Sequence, residues 1–447
     1  MKNEIGRSIH RKRGRALGVV ELIAIAVGGM VGGGIFTVLG ISVSLVGAYT
    51  PIAIAVGGII AMLAAYNYVK LGVYFKDEGA TYSFYKKTFP STPFAASLIG
   101  WWVIFGYIST LALYAYTFSS YSISSFSFAN DELIRKAIAG GIILVFTLVN
   151  VWSVKGMGRV EDLMVYTKMV ILALISIILI YHSDTSLPTL FKNNHNITLS
   201  SILIVSSLTF VAYEGFQLVI NAVNEMKNPD LNIPRAIYGA IVLVILIYVI
   251  MSLGAILSMS FKEIADNKEY ALAAGAKEIM GNMGANLVIA GALLATSSAI
   301  SGTLFGSSRQ VSVIAEDGYF PAFLANRKNS IPIFAIIVMA LLSFGLILIG
   351  NLEVILEFGS ITFILVSWLM GLANLKIRDK TNSSLTIIIV SLVGLFIGAS
   401  LIVYYEINSD IRQIYSTCVI YLVLTLGAWL FSKIENKKVA KHVYKKQ

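Results

Sequence analysis

Two ionisable side chains stand alone inside long apolar runs: Lys168 in EDLMVYTKMVILALISIILI and Glu214 in SSLTFVAYEGFQLVINAVNEMKNP. From the polar group 159–162, Lys168 lies about six to nine residues into its run, or ~9–14 Å at 1.5 Å per residue. A lysine stem covers about half of that distance, which leaves two readings open. The amine snorkels toward an interface, or it is buried where it can gain and release a proton. Glu214 stands about 11 residues, or ~16 Å, from Glu225, the nearer charged end of its run. A carboxylate at such a depth contacts a ligand or a proton, or, protonated, it caps backbone groups left open by an irregular helix.

The second feature is backbone chemistry. In AVGGMVGGGIFTVLG, 26–40, three consecutive glycines, Gly32, Gly33 and Gly34, interrupt an apolar run. Each costs a helix roughly 1 kcal/mol relative to alanine. Gly28/Gly32 and Gly29/Gly33 satisfy GxxxG and would let a neighbouring helix approach. Three glycines at ~100° apiece, however, cover more of the circumference than a packing face requires. A break explains them better: the helix unwinds, and a half-helix beginning at Ile35–Phe36 points its positive end at whatever sits there. A second break is expected in the sixth apolar segment, where small residues and Gly215 surround Glu214.

Both features need long apolar elements to hold them. The chain has 447 residues, 57% of them hydrophobic and only 13% charged, with a mean hydropathy of +0.79. That is the composition of an all-α polytopic membrane protein. Segments long enough to cross a ~30 Å hydrocarbon core fall at 17–45, 51–70, 94–121, 134–152, 161–181, 199–222, 236–259, 284–307, 332–350, 354–374, 385–405 and 413–432. The first of these twelve runs through its glycines without a cleavage signature, so it does not read as a signal peptide.

With the N-terminus placed in the cytoplasm, 26 Lys and Arg fall inside and 7 outside, with Lys168 alone within a span. The asymmetry puts both termini inside, in a cell membrane. The tail 1–16 and the basic tail 433–447 are then cytoplasmic. The latter is a topology anchor that also meets anionic lipid headgroups, or a lipid-binding element in its own right.

Several chemistries drop out. Cys418 is the single cysteine, so no intramolecular disulfide or multi-cysteine metal cluster is possible. His10, His182, His195 and His442 all lie outside the apolar runs, so neither an HExxH pair nor an intramembrane histidine relay exists. No P-loop motif occurs, and no cofactor or metal is expected. The net charge of +10 comes from one side of the membrane and not from a nucleic-acid patch.

Several segments resemble the amino acid–polyamine–organocation superfamily. GGMVGGGIF is similar to its GxxxGxGIF signature on helix 1, and FVAYEGFQ with NEMKNPDLNIPRAI is similar to helix 6 and the segment after it. LLATSSAISGTLFGSSRQVSVIAEDGYFP resembles its helix 8 and the following loop, and GWWVIFGY the start of helix 3. The resemblance covers about residues 17 to 430. It implies a LeuT-like fold with 12 transmembrane helices: a five-helix repeat at 17–181, a second inverted repeat at 199–374, and two further helices at 385–432.

It also implies transport of amino acids or related amines by alternating access. Substrate then touches Val31, Gly32, Gly33 and Gly34 on one break, and Phe210, Val211, Ala212, Tyr213 and Glu214 on the other. Freed N–H groups hold the carboxylate, and freed carbonyls accept the ammonium. Tyr107, Phe210 and Tyr213 are packing aromatics or rings that close over a bound solute. Some proton-coupled relatives resemble this chain in carrying a helix 5 lysine where sodium-coupled ones bind sodium. That makes Lys168 the coupling group, with Ser297 and Ser298 as the hydroxyls beside it, and the proton as coupling ion.

One departure is the YVKL of Lys70, where the family has an acidic residue, which removes any cytoplasmic gate built on that carboxylate. The competing readings are an amine (polyamine) exchanger without proton coupling, a channel and a membrane enzyme. A channel would need a ring of like groups or a continuous polar pore, and the chain offers two isolated charges. No catalytic constellation supports an enzyme.

Overall fold

The computed structural model describes residues 17–152, 154–183, 191, 197–267, 269–328, 331–409 and 411–444, with backbone alone at 154–163, 411–413, 416 and 434–444. The N-terminal tail expected at 1–16, and His195, lie outside the described residues. Helices cover each of the apolar segments. Among the described residues no strand forms, only the isolated bridges Leu17–Met226 and Lys328–Ile331.

The first segment is two helices, α1 (Val19–Met30) and α2 (Gly34–Val46). Then follow α3 (Thr50–Phe75), α4 (Ala80–Thr88), α5 (Pro93–Ile123), α6 (Glu132–Trp152) and α7 (Val154–Tyr181). The sixth segment is α8 (Leu199–Leu208), a 3₁₀ turn over Thr209–Tyr213, and the single turn α9 (Leu218–Asn221). Beyond it lie α10 (Pro229–Ser258), α11 (Phe261–Asp266), α12 (Ala271–Glu316), α13 (Ile333–Ile349) and α14 (Leu352–Lys376). The chain ends in α15 (Arg378–Thr381), α16 (Leu385–Ser409) and α17 (Ile411–Tyr444). The last helix continues past 432 through the basic tail, and α12 is two helices joined at Gly281, whose φ of +64° interrupts the helical path just before the apolar span expected from 284.

The starts follow local rules. α3, α5 and α10 open on proline in the first turn, where a missing N–H costs nothing. Thr198 and Asn351 cap α8 and α14 by accepting from Ser201 N (3.2 Å) and Val354 N (3.0 Å).

Nine helical stretches among the described residues are long and apolar enough to cross a membrane, and Val19–Met30, Ile333–Ile349 and Thr417–Lys433 are shorter apolar helices. The protein is therefore an all-helical, multi-pass membrane protein. Burial sorts the helices into layers. Of the apolar window in each, 83% is buried for Leu199–Asn221 and Leu352–Lys376 and 78% for α5, against 28% for α6 and 39% for α16. The centre is therefore α5, α14 and the broken sixth segment, with α1 and α2 beside them. The perimeter helices turn leucine and isoleucine outward, as a lipid solvent allows.

Candidate functional site

The first break spans 31–33, and Val31 leaves the helix with φ −84° and ψ 74°. Unwinding frees carbonyl groups, and three side chains meet them. Lys168 Nζ donates to Gly28 O at 2.9 Å and to Val31 O at 2.6 Å, and also to Ser298 Oγ at 2.9 Å. Tyr114 OH donates to Gly29 O (3.2 Å). Tyr248 OH lies 2.9 Å from Met30 O and 3.1 Å from Ala212 O, so one proton is shared between the two breaks.

Lys168 is fully buried, and it comes to the first break from α7. That settles its placement against snorkelling. The three acceptors described match the three N–H bonds of an ammonium. Ser298 in turn donates to Ala295 O (3.3 Å), leaving its lone pairs toward the lysine. Ser297 is the adjacent residue on α12 and is half-buried.

The second break is longer. After the 3₁₀ turn, Glu214 is extended (φ −67°, ψ 139°) and Gly215 has φ +123°. A Cβ on Gly215 would stand 2.6 Å from the carbonyl carbon of Gly29 and 2.7 Å from Met30 N. Glycine is required there twice over, by dihedral and by contact between the two breaks.

Glu214 is buried and accepts a hydrogen bond from Gln217 Nε2. The same amide lies 3.3 Å from Tyr107 OH, and Gln217 Oε1 accepts from Gly215 N at 3.2 Å. Tyr107 packs edge-on against Phe363 of α14 (centroids 5.8 Å apart). Tyr213 points elsewhere, donating to Ile54 O of α3 at 2.8 Å. Phe210, Val211 and Ala212 are fully enclosed.

The three central glycines have close protein neighbours. A Cβ at Gly32 would come within 2.7 Å of Ala299 Cβ and of the Tyr114 ring, and one at Gly33 within 2.9 Å of Thr117 Oγ1. Close packing and a break therefore both occur at these glycines, where the run of three points to the break alone.

Gln217, Tyr114 and Tyr248 belong to this site but escape sequence reasoning. Their one signal is a polar atom in an otherwise apolar span. Lys70, which replaces the family's acid, donates to Asn382 O at 2.8 Å, and Glu21 accepts from Gly18 N at 2.9 Å, so both are end-of-helix anchors.

Comparison with known proteins identifies the family. The profile described as "Amino acid permease" matches residues 17–431. The chain is 27% identical over 445 residues to the uncharacterized protein MJ0609 of Methanocaldococcus jannaschii, covering 97% of this chain and 99% of that one. It is 28% identical over 429 residues to the inner membrane transport protein YbaT of Escherichia coli, covering 94% and 95%. It is 28% identical over 361 residues to the large neutral amino acids transporter small subunit 2 of Oryctolagus cuniculus, covering 77% and 66%. The family is one of permeases, and the Escherichia coli and Oryctolagus cuniculus relatives are named as transporters, not enzymes; the family match runs through both breaks. The chain belongs to the amino acid permease family.

Proposed function

We propose that the protein is a secondary active transporter that moves amino acids by alternating access and is driven by proton symport. In this reading 17–181 and 199–374 are inverted five-helix repeats of a LeuT-like fold, 385–432 adds two helices, and both termini are cytoplasmic in the cell membrane. The observation that carries it is the meeting of two broken helices at the centre of the bundle, with Lys168 bonded to the carbonyls that one of them frees. Broken helices meeting at mid-bundle are where transporters bind solute.

The substrate carboxylate is held by the N-terminal N–H groups of α2, where Gly32, Gly33 and Gly34 interpose no side chain. Carbonyls from Phe210 to Tyr213 receive the ammonium. Lys168, with Ser298 and Ser297 nearby, holds the coupling proton, and its release loosens α1 from α7. Tyr107, tied to Glu214 through Gln217, closes the site.

Glu214 favours a second reading, an exchanger for cationic amines without proton coupling. A buried carboxylate beside a broken helix is a ready partner for a substrate amine.

Reconstitution in liposomes tests both. An inward proton gradient should accelerate uptake of labelled amino acid, and an uncoupler should abolish the acceleration. Counterflow against trans-loaded substrate without any response to the gradient would identify the exchanger. Efflux without counterflow would identify a channel and overturn both.

A further inference from the structure

Away from the broken helices, α14, α16 and α17 bury a second set of polar groups at one end of the bundle. Glu357 is in the second turn of α14, Glu406 in the last turn of α16 and Thr417 in the second turn of α17. Glu406 is fully enclosed, and Glu357 and Thr417 are nearly so. Both carboxyl oxygens of Glu406 and the hydroxyl of Thr417 lack a hydrogen-bond partner among the described residues.

Glu357 faces Glu406 electrostatically across the α14–α16 contact, and Glu353 adds a third carboxyl one turn earlier on α14. Thr417 faces Glu406 without reaching hydrogen-bond geometry. Tyr405 of α16 senses Glu357 and Glu353. Tyr421 of α17 senses Glu406, but its hydroxyl is already engaged with Thr362 Oγ1 at 2.7 Å. Among the described residues no lysine or arginine forms an ion pair with Glu357 or Glu406.

A buried carboxylate with no donor and no counter-charge is expensive, and native interiors rarely leave one so. Among the described residues no hydrogen bond resolves this one. The donor set is oxygen only: carboxylates from two helices and a hydroxyl from a third. Such a set suits hard cations of the calcium or sodium kind and not transition metals. We propose that Glu357, Glu406 and Thr417 form a binding site for a hard cation that ties α14, α16 and α17 together. Two carboxylates balance one divalent ion, so calcium is the first probe and sodium the second.

The site also has a mechanical link to the centre. Ser360, three residues beyond Glu357, donates to Leu208 O at 2.6 Å, where the sixth segment leaves its helix. Ser109 of α5 donates to Ile355 O at 2.8 Å. A cation that clamps α14 therefore steadies the backbone at the second break. This site is independent of the transport reading and uses none of its residues.

The test is thermal unfolding of the purified full-length protein, stripped with a chelator at pH 7.5 and titrated with calcium chloride or sodium chloride against choline chloride at matched ionic strength. A ligand at about 100-fold over its Kd should raise the apparent melting temperature by roughly 2–5 °C. The rise should vanish in Glu406→Gln, shrink in Thr417→Val and persist in Ser298→Ala, which excludes the Lys168 site. If Glu406→Gln does not fold, Glu357→Gln takes its place. The proposal is overturned by no cation-specific rise, by a rise that survives Glu406→Gln, or by stability that follows pH alone, which would mean that the pair holds protons.

Discussion

Gly34 and Ala212 touch across the two helix breaks: a Cβ at Gly34 would stand 2.9 Å from Ala212 Cα and 3.0 Å from its Cβ. One obstacle is backbone and the other is the stub of an alanine, so neither can swing away. Overpacking a closed core costs about 1–3 kcal/mol. Gly34→Val should therefore lower the melting temperature and abolish substrate binding. Gly345→Ala, with nothing within 4 Å of its new Cβ, should gain about 1 kcal/mol from helix propensity alone. Thermal unfolding of the two variants side by side checks the contrast. Equal effects would mean that contact between the breaks does not matter.

Lys168 should be separable into a structural and a coupling role. Lys168→Ala strands the Gly28 and Val31 carbonyls and Ser298, at about 1–3 kcal/mol for a buried group left unsatisfied. The variant should still fold, lose its response to a proton gradient and retain counterflow. Uptake that keeps its full response to the gradient would remove Lys168 from the coupling step.

For Glu214 the expected effect is on substrate preference. Only a carboxylate attracts a substrate ammonium in a low-dielectric site. Glu214→Gln should cut the affinity ratio of cationic to neutral amino acids by about tenfold, roughly 1.4 kcal/mol. Competition binding measures the ratio directly. If it stays constant while stability falls, Glu214 is a cap for the broken helix, held by Gln217.

The proposed carboxylate cradle at Gly32–Gly34 has its own signature. An amino acid and its amide differ only at the group that the α2 N-terminus would receive. The amide should bind at least tenfold more weakly to the parent protein, as read by thermal shift. Equal binding would leave close packing against Tyr114, Ala299 and Thr117 as the whole reason for these glycines.

Much of this was legible in the sequence because a membrane makes few solutions possible. Apolar length marks the helices, and three consecutive glycines or a lone Glu214 mark where a helix stops being one. Lys168 was legible for the same reason: a lysine that deep needs partners. What stayed hidden depends on facing. Tyr248 and Tyr114 look like packing aromatics until their hydroxyls are seen on Met30 and Gly29. Gln217 is one polar residue among several, and only the turn at Gly215 brings its amide back to Glu214 and Tyr107. The pair Glu357 and Glu406 lies 49 positions apart in the chain and meets only through the packing of α14 on α16.

Glu263, outside the spans on α11, makes stability depend on pH. Burial, then its hydrogen bond and charge repulsion with Glu278, push its carboxyl from 4.5 up to about 7. The two acids line a cleft of about 420 Å³ with Lys277, Asn267 and Tyr270. Between pH 4.5 and about 7 the folded protein holds a proton that the unfolded chain has released. More protons bound in the folded state means stability falls as pH rises through that window, and levels off above it. The group is largely solvated, so screening keeps the effect small. Glu263→Gln keeps the hydrogen bond to Glu278 and removes the titration. Its melting temperature should match the parent's near pH 4.5 and exceed it by roughly 1–2 °C at pH 8. A parent curve without that decline, or a Gln variant that follows it, would show that the Glu263–Glu278 pair does not share a proton.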